Sequence, residues 1–231
     1  MNRPFIFLDL DDTILDFHWA EHRALRKAMG EMGLDPTDEL LDRYSAINRQ
    51  QWELLEDGRI TREEVLLSRF EILFGERGIG LSAAELRDRY ESQLCFGYRF
   101  LPGAEEMLDE LRGKVRLYLA SNGSAAIQHA RLKSAGLSGL FDGVFISEEM
   151  GVNKPSTAYF DLCFSKIPGF SRERALMVGD SLSSDIRGGL RAGIRTCWLN
   201  PGGKPPRADI TPDYEIRDLS ELPPLIDRVF R

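Results

Sequence analysis

Three cysteines in 231 residues, Cys95, Cys163 and Cys197, are scattered and odd in number. They make neither a disulfide framework nor a zinc site, and each reads as a small buried apolar residue. Histidine is as scarce. His18, His22 and His129 fall on helical stretches away from the motifs below, and no Ser–His–Asp arrangement is suggested. No apolar run is long enough for a membrane span, and the N-terminus leads straight into a short strand with no signal peptide. A reducing cytoplasm is therefore the expected setting. Positive charge is in deficit, with 30 Lys and Arg against 37 Asp and Glu and a net charge of −7. A nucleic-acid polymer or an anionic membrane calls for a basic face, so neither is an expected partner. A small anionic substrate needs only one local positive site. Internal repeats and low-complexity tracts are also missing. A monomer or weak homodimer is expected.

What the chain does have is a short apolar run that ends in acids: Phe5-Ile6-Phe7-Leu8-Asp9-Leu10-Asp11-Asp12-Thr13. Four apolar residues in a row predict a strand buried on both faces, as in a parallel sheet. Three carboxylates within four positions are costly at the end of such a strand unless a cation or hydrogen bonds offset them. An all-oxygen cluster of this kind suits Mg²⁺. Asp12 taken alone reads as the cap of a polar turn.

From about 16 to 96 the pattern is helical. Phe17, Ala20, Ala24, Ala28 and Met32 recur at helical spacing, with Gly33 as the stop. Leu40, Leu41, Tyr44, Ile47, Leu54 and Leu55 mark a second helix ended by Asp57-Gly58. Thr61 with Glu64, and Ser82 with Glu85, read as capping boxes for a third and a fourth. From Pro102 onward strands alternate with helices. Strands are expected at 115–120, 144–146, 175–178, 196–199 and near Tyr214. Helices are expected after Pro102-Gly103, over 124–135, from Pro155 through Phe164, over 186–192 and at 222–229. This alternation predicts an α/β fold: a Rossmann-like parallel sheet with helices on both faces, plus a four-helix insert after the first strand. The expected division is a core of 1–15 and 97–231 and an insert of 16–96. Ligands of such sheets sit at the carboxyl ends of the strands, which gathers Asp9, Asp11, Ser121 and Asp180 at one edge.

Asp9-Leu10-Asp11-Asp12-Thr13 resembles the D-x-D-x-T signature of the haloacid dehalogenase superfamily. Ala120-Ser121-Asn122-Gly123, Asn153-Lys154-Pro155 and Gly179-Asp180-Ser181-Leu182-Ser183-Ser184-Asp185 resemble its second, third and fourth motifs, in order. The resemblance implies an Mg²⁺-dependent phosphomonoesterase. Asp9 is its expected nucleophile, forming an aspartyl-phosphate, and a metal ligand. Asp11 is the expected general acid and base, and its carbonyl an expected metal ligand. True dehalogenases of the superfamily lack an acid at that position. Ser121 and the backbone N–H of Asn122 are expected to hold phosphoryl oxygens, although Ser121 alone would read as a plain N-cap. Lys154 is expected to serve the phosphoryl group and the carboxylate cluster, although most lysines are solvated. Asp180 is the expected direct metal ligand. Asp185 is expected behind it, directly or through water, or as an acid favoured at a helix start.

The helical insert resembles the superfamily's small cap, which closes over the site and selects the leaving group. Asn48, Trp52, Leu55-Glu56, Gly58, Ile60-Thr61 and Arg69-Phe70 resemble the cap of pyrimidine 5′-nucleotidases. That subgroup implies a nucleoside 5′-monophosphate phosphatase preferring pyrimidines, with Asn48, Gln51 and Trp52 as specificity residues. Trp52 and Phe70 also read as cap core, and for Phe70 that reading is preferred. Two rivals stand beside the nucleotidase: a sugar-phosphate phosphatase or phosphomutase using the same motifs, and a non-catalytic regulator on the same fold.

Overall fold

The computed structural model describes residues 3–205 and 207–231. Its centre is β1 (Phe5–Leu8), in which every residue is buried. β1 pairs in parallel with β2 (Arg116–Ser121) on one side and β4 (Ala175–Gly179) on the other. Outside them lie β3 (Gly143–Ile146), β5 (Arg195–Leu199) and β6 (Tyr214–Ile216), all parallel, in the order β3-β2-β1-β4-β5-β6. Side chains alternate across β1, as a strand requires. Ile6 and Leu8 face α5 (Ala104–Leu111) and α10 (Leu222–Val229). Phe5 and Phe7 face α8 (Thr157–Ser165), where Phe7 meets Phe164 at 5.7 Å between ring centroids. Helices on both faces leave only the strand ends open. The order switches direction at β1, so the ends of β1, β2 and β4 form the crevice in which parallel sheets bind ligands.

Between β1 and α5 come four helices: α1 (Phe17–Glu31), α2 (Asp38–Glu56), α3 (Arg62–Arg77) and α4 (Ala83–Leu94). They have a core of their own. Ala20, Ala24 and Ala28 give α1 a flat side, against which Tyr44, Phe70 and Tyr90 pack as an aromatic group. Thr61 and Glu64 form the complete capping box, whereas Ser82 supplies only its own half by accepting from the Glu85 N–H. The two chain crossings to the sheet run side by side. Asp16 N–H donates to Arg99 C=O at 2.8 Å and Leu101 N–H to Ile14 C=O at 2.9 Å.

Several expected boundaries shift. β2 starts at Arg116, one residue late. Pro155 does not open a helix: it sits in the preceding turn, and Ser156 is the N-cap of α8. A one-turn helix α7 (Ser147–Met150) intervenes between β3 and that turn. The helix after β4 opens with a π-helical turn, Leu182–Ile186, before α9 (Arg187–Arg191). The remaining helix, α6 (Ala125–Ser134), follows β2.

Two glycines decide how closely side chains approach the crevice. A Cβ on Gly123 would lie 2.3 Å from Gln128 Nε2, and one on Gly179 would lie 2.1 Å from Asp185 Oδ2. Gly75, exposed on α3, has nothing within 4 Å of its Cβ position. Gly179→Ala is therefore expected to cost about 1–3 kcal/mol through displacement of Asp185, while Gly75→Ala gains up to ~1 kcal/mol of helix propensity. Melting temperatures should move in opposite directions. A Gly179→Ala protein as stable as wild type would contradict the packing described.

Candidate active site

The carboxyl end of β1 delivers Asp9, and the Asp9 N–H extends the ladder by donating to Val178 C=O at 3.0 Å. The end of β4 delivers Asp180, whose N–H donates to Thr13 Oγ1 at 3.1 Å. Asp185 comes from the π-helical turn. One carboxylate oxygen from each of Asp9, Asp180 and Asp185 lies within 4.8 Å of the other two. Into this group reaches Lys154, 1% exposed. Its Nζ donates to Asp9 Oδ1 at 2.6 Å, to Asp185 Oδ1 at 2.7 Å and to Ala120 C=O at 2.6 Å. The ammonium's three hydrogens are thereby used. Asp185 Oδ2 accepts from Ser181 N–H at 3.2 Å, so both of its oxygens are engaged. No hydrogen-bond donor among the described residues reaches the Asp180 carboxylate.

Asn122 fixes the lysine from the side. Its Oδ1 accepts from the Lys154 N–H and its Nδ2 donates to the Lys154 C=O, both at 2.9 Å. Ser121 Oγ accepts from Gly123 N–H at 3.2 Å and from Gln128 Nε2 at 2.8 Å. Gln128 Nε2 also donates to Asp11 Oδ2 at 2.6 Å, and Arg131 Nη1 donates to Asp11 Oδ1. Arg131 is itself tied to Gly97 C=O at 3.1 Å, beside the returning chain crossing. Asp12 takes a left-handed φ of 54°, and its Oδ1 accepts from Phe17 N–H at 2.8 Å, capping α1 from outside.

A cavity of about 210 Å³ leads from these groups into the helical insert. Asp9, Asp11, Ser121, Lys154 and Asp185 line it together with Leu66, Arg69, Glu91 and Ile127. A wider cavity of about 350 Å³ adjoins it and shares Asn48, Trp52, Glu56 and Asp180, but does not touch Asp9 or Lys154. Trp52, half-buried, stands between the two, with the Arg62 guanidinium 5.5 Å from its ring centroid. Trp52 is outside the insert's apolar core, whereas Phe70 is in it and fully buried.

The model of the haloacid dehalogenase-like hydrolases matches residues 5–193. The chain belongs to that family. HAD-hydrolase YfnB of Bacillus subtilis is 41% identical over 217 residues, covering 94% of this chain and 92% of YfnB. A magnesium-bound crystal structure of YfnB, described as revealing interdomain movement, superposes with a TM-score of 0.93 over 98% of this chain and 100% of that one, at 39% identity. Pyrimidine 5′-nucleotidase PynA of Streptococcus pneumoniae is 37% identical over 97% of this chain and 95% of its own length. Pyrimidine 5′-nucleotidase YjjG of Escherichia coli is 33% identical over 98% and 99%.

Within this hydrolase, the four sequence motifs converge: Asp9, Asp11, Ser121, Asn122, Lys154, Asp180 and Asp185 all line one cavity. The insert residues divide. Asn48 and Trp52, one turn apart, face the cavity along with Glu56. Gln51 does not. It lies on the neighbouring stripe of α2, buried, accepting from Ser68 Oγ of α3 at 2.9 Å. Asn48 is also more committed than its pattern suggested, with its amide bonded to Glu21 and Arg69. His18, expected away from the site, lines the wider cavity with Asp12. The sequence does not anticipate Gln128, Arg131, Glu91 or Glu21, and Glu56 and Arg69 enter only through the cap resemblance, without a site role. One signal pointed to Arg69: Val65, Arg69 and Leu73 are four apart, so a charge interrupts a buried stripe.

Burial sets the electrostatics. It pushes Asp9 up to about 8, with Lys154 opposing and the charges of Asp185 and Asp11 reinforcing. Asp180 is driven well above the carboxylate range by burial, then by Asp185, Asp12 and Asp9. Burial lowers the Lys154 ammonium, but Asp185 and Asp9 raise it by more. On the insert, burial lifts Glu21 from 4.5 to about 7 against the hydrogen bond from Ser45 and the charge of Arg69. A carboxyl raised on folding holds an extra proton between those two values, so its stabilising contribution is lost as pH rises from about 4.5 through about 7. Glu21→Gln removes this proton uptake. The melting temperature of the variant should fall less steeply over that pH range than that of wild type. Identical slopes would remove Glu21 as the source.

Proposed function

We propose that this hydrolase is an Mg²⁺-dependent phosphomonoesterase acting on nucleoside 5′-monophosphates, with a preference for pyrimidines. The observation that carries the reading is the continuous cavity from Asp9 and Lys154 to the aromatic and polar side chains of the insert. Three converging carboxylates share a single buried ammonium, so negative charge is in excess. This excess, and the undonated Asp180 carboxylate, fit a hard dication with oxygen ligands. Asp9 and Asp180 would hold it, with the Asp11 carbonyl by family resemblance and Asp185 from behind. Bound there, Mg²⁺ supplies charge to offset that of the phosphoryl oxygens.

The chain's own groups supply the rest. Lys154 keeps Asp9 in place and adds positive charge at the phosphoryl group. An Asp9 oxygen attacks phosphorus and the bond to the ester oxygen breaks, giving an aspartyl-phosphate. Asp11 gives the leaving oxygen its proton. It then takes one from the water that attacks phosphorus, which releases phosphate and restores Asp9. The bonds from Arg131 and Gln128 hold the Asp11 carboxylate in place for both proton transfers. Ser121 Oγ accepts two hydrogen bonds and keeps its own hydrogen to donate to a phosphoryl oxygen. Asn122 acts mainly by its side chain, which fixes the Lys154 backbone.

Hydrolysis of uridine 5′-monophosphate and of p-nitrophenyl phosphate tests both halves. Asp9→Asn should abolish both activities without loss of fold, and Asp11→Asn should lower them about 10²- to 10⁴-fold. Trp52→Ala should lower kcat/KM for the nucleotide by about tenfold to a hundredfold, the range for losing one base stack, and for p-nitrophenyl phosphate much less. Near-normal turnover by Asp9→Asn would refute the nucleophile. Equal losses on both substrates in Trp52→Ala, with a lowered melting temperature, would make Trp52 structural.

A further inference from the structure

No histidine lines the inner cavity, yet two of the three stand side by side on the insert. His18 and His22 are four apart on α1, so their rings share one face of the helix, with centroids 4.1 Å apart. Glu21, three residues after His18, turns toward the same place. One ring nitrogen of each histidine and one oxygen of Glu21 all lie within 4.8 Å of one another. The group opens outward: His18 is exposed and His22 half-buried, while Glu21 closes it from within. His18 and Glu21 also line the wider cavity. Hydrogen bonds account for only part of this arrangement. Ser45 Oγ donates to Glu21 Oε2 and lies 3.1 Å from His22 Nε2, and Asp42 Oδ1 stands 3.7 Å from the same nitrogen. The His18 ring has no hydrogen-bond partner among the described residues; it meets only the His22 ring.

We propose that His18, Glu21 and His22 bind a divalent d-block cation of the zinc type, at a site separate from the carboxylate cluster around Lys154. Two imidazoles and one carboxylate suit zinc, with water completing the coordination, whereas Mg²⁺ takes oxygen ligands. Nitrogen and oxygen ligands ~2 Å from a tetrahedral ion stand ~3.3 Å apart, so these atoms need draw together by no more than ~1.5 Å. All three residues sit on one helix, and side-chain torsions alone can make that adjustment. Burial and the adjoining His18 ring lower the pKa of His22, so the ring keeps its lone pair at neutral pH. Ser45 and Asp42 are the polar neighbours that orient a ligating imidazole. Arg26 adds positive charge nearby, but it is tied to Asp38 and to the Pro36 C=O. The site is independent of the nucleotidase reading, since it shares no ligand with Asp9, Asp180 or Asp185.

The test is calorimetric titration of Zn²⁺ in saturating Mg²⁺, on wild type, Asp180→Asn, His18→Gln, His22→Gln and Glu21→Gln. Asp180→Asn marks any zinc that enters the carboxylate cluster instead. Wild type and Asp180→Asn should each bind one ion with like affinity. His18→Gln, His22→Gln and Glu21→Gln should each bind it at least about tenfold more weakly, since losing a ligand costs no less than losing a neighbour that orients one. His18 is exposed, so its variant stays folded and decides the matter even where another does not. Co²⁺ in place of Zn²⁺ should give a visible d–d band in wild type and Asp180→Asn that His18→Gln alters. No saturable Zn²⁺ binding to wild type, or binding unchanged in both histidine variants, overturns the site. Zinc binding lost in Asp180→Asn but kept in the histidine variants places the ion in the carboxylate cluster and overturns it as well. Weakening in the histidine variants with none in Glu21→Gln leaves a surface pair of imidazoles and overturns the three-ligand site.

Discussion

Three hydrogens of one buried ammonium join segments that are far apart in sequence. Lys154 binds Asp9 at the end of β1, Ala120 in β2 and Asp185 after β4. Such a charge is tolerated in the interior only because every hydrogen is used and two carboxylates face it. Much of the surrounding structure serves this arrangement. Asn122 grips the Lys154 backbone at both ends, and the bare Gly179 lets Asp185 lie against the end of β4. The buried β1 fixes Asp9 by its ladder to β2 and β4. Removing one partner would leave an uncompensated charge in a buried site, which is why the motifs act as a unit.

The helical insert meets this centre through few polar contacts. Arg62 at the start of α3 donates to the Asn122 C=O at 2.9 Å and to Ser124 Oγ at 3.1 Å, while its guanidinium lies over Trp52. Arg187 pairs with Asp57 at 3.3 Å across the same boundary. Asp11 is held by Gln128 and Arg131, and Arg131 also grips Gly97 beside the returning chain crossing. Asp11 and the connection to the insert therefore share one anchor on α6. The carboxylate edge of the sheet is thus in direct contact with the helices of the insert.

The sheet was legible because buried parallel strands read as short apolar runs, and the site because acids, serine and lysine follow those runs directly. The four helices were legible through their caps and 3.6-residue period. What escaped was set by packing between elements. Gln51 and Trp52 are adjacent in sequence but 100° apart on α2, and only the neighbouring helix decides which faces the cavity. Gln128 and Arg131 look like ordinary polar helix residues until α6 is laid beside Asp11. Pro155 sits before its helix instead of opening it, with Ser156 taking the N-cap. Glu91 carries no local signature of the cavity, because only the fit of α3 against α4 brings it beside Arg69.

The central claim is that the cluster of Asp9, Asp180 and Asp185 around Lys154 is short of one cation. Calorimetric titration of Mg²⁺ into wild type and into Asp180→Asn tests it independently of any turnover. The account predicts one ion bound per wild-type chain, a melting temperature that rises with Mg²⁺ concentration, and affinity weaker by at least about tenfold in Asp180→Asn. No saturable binding to wild type, or equal affinity in the two proteins, would contradict it.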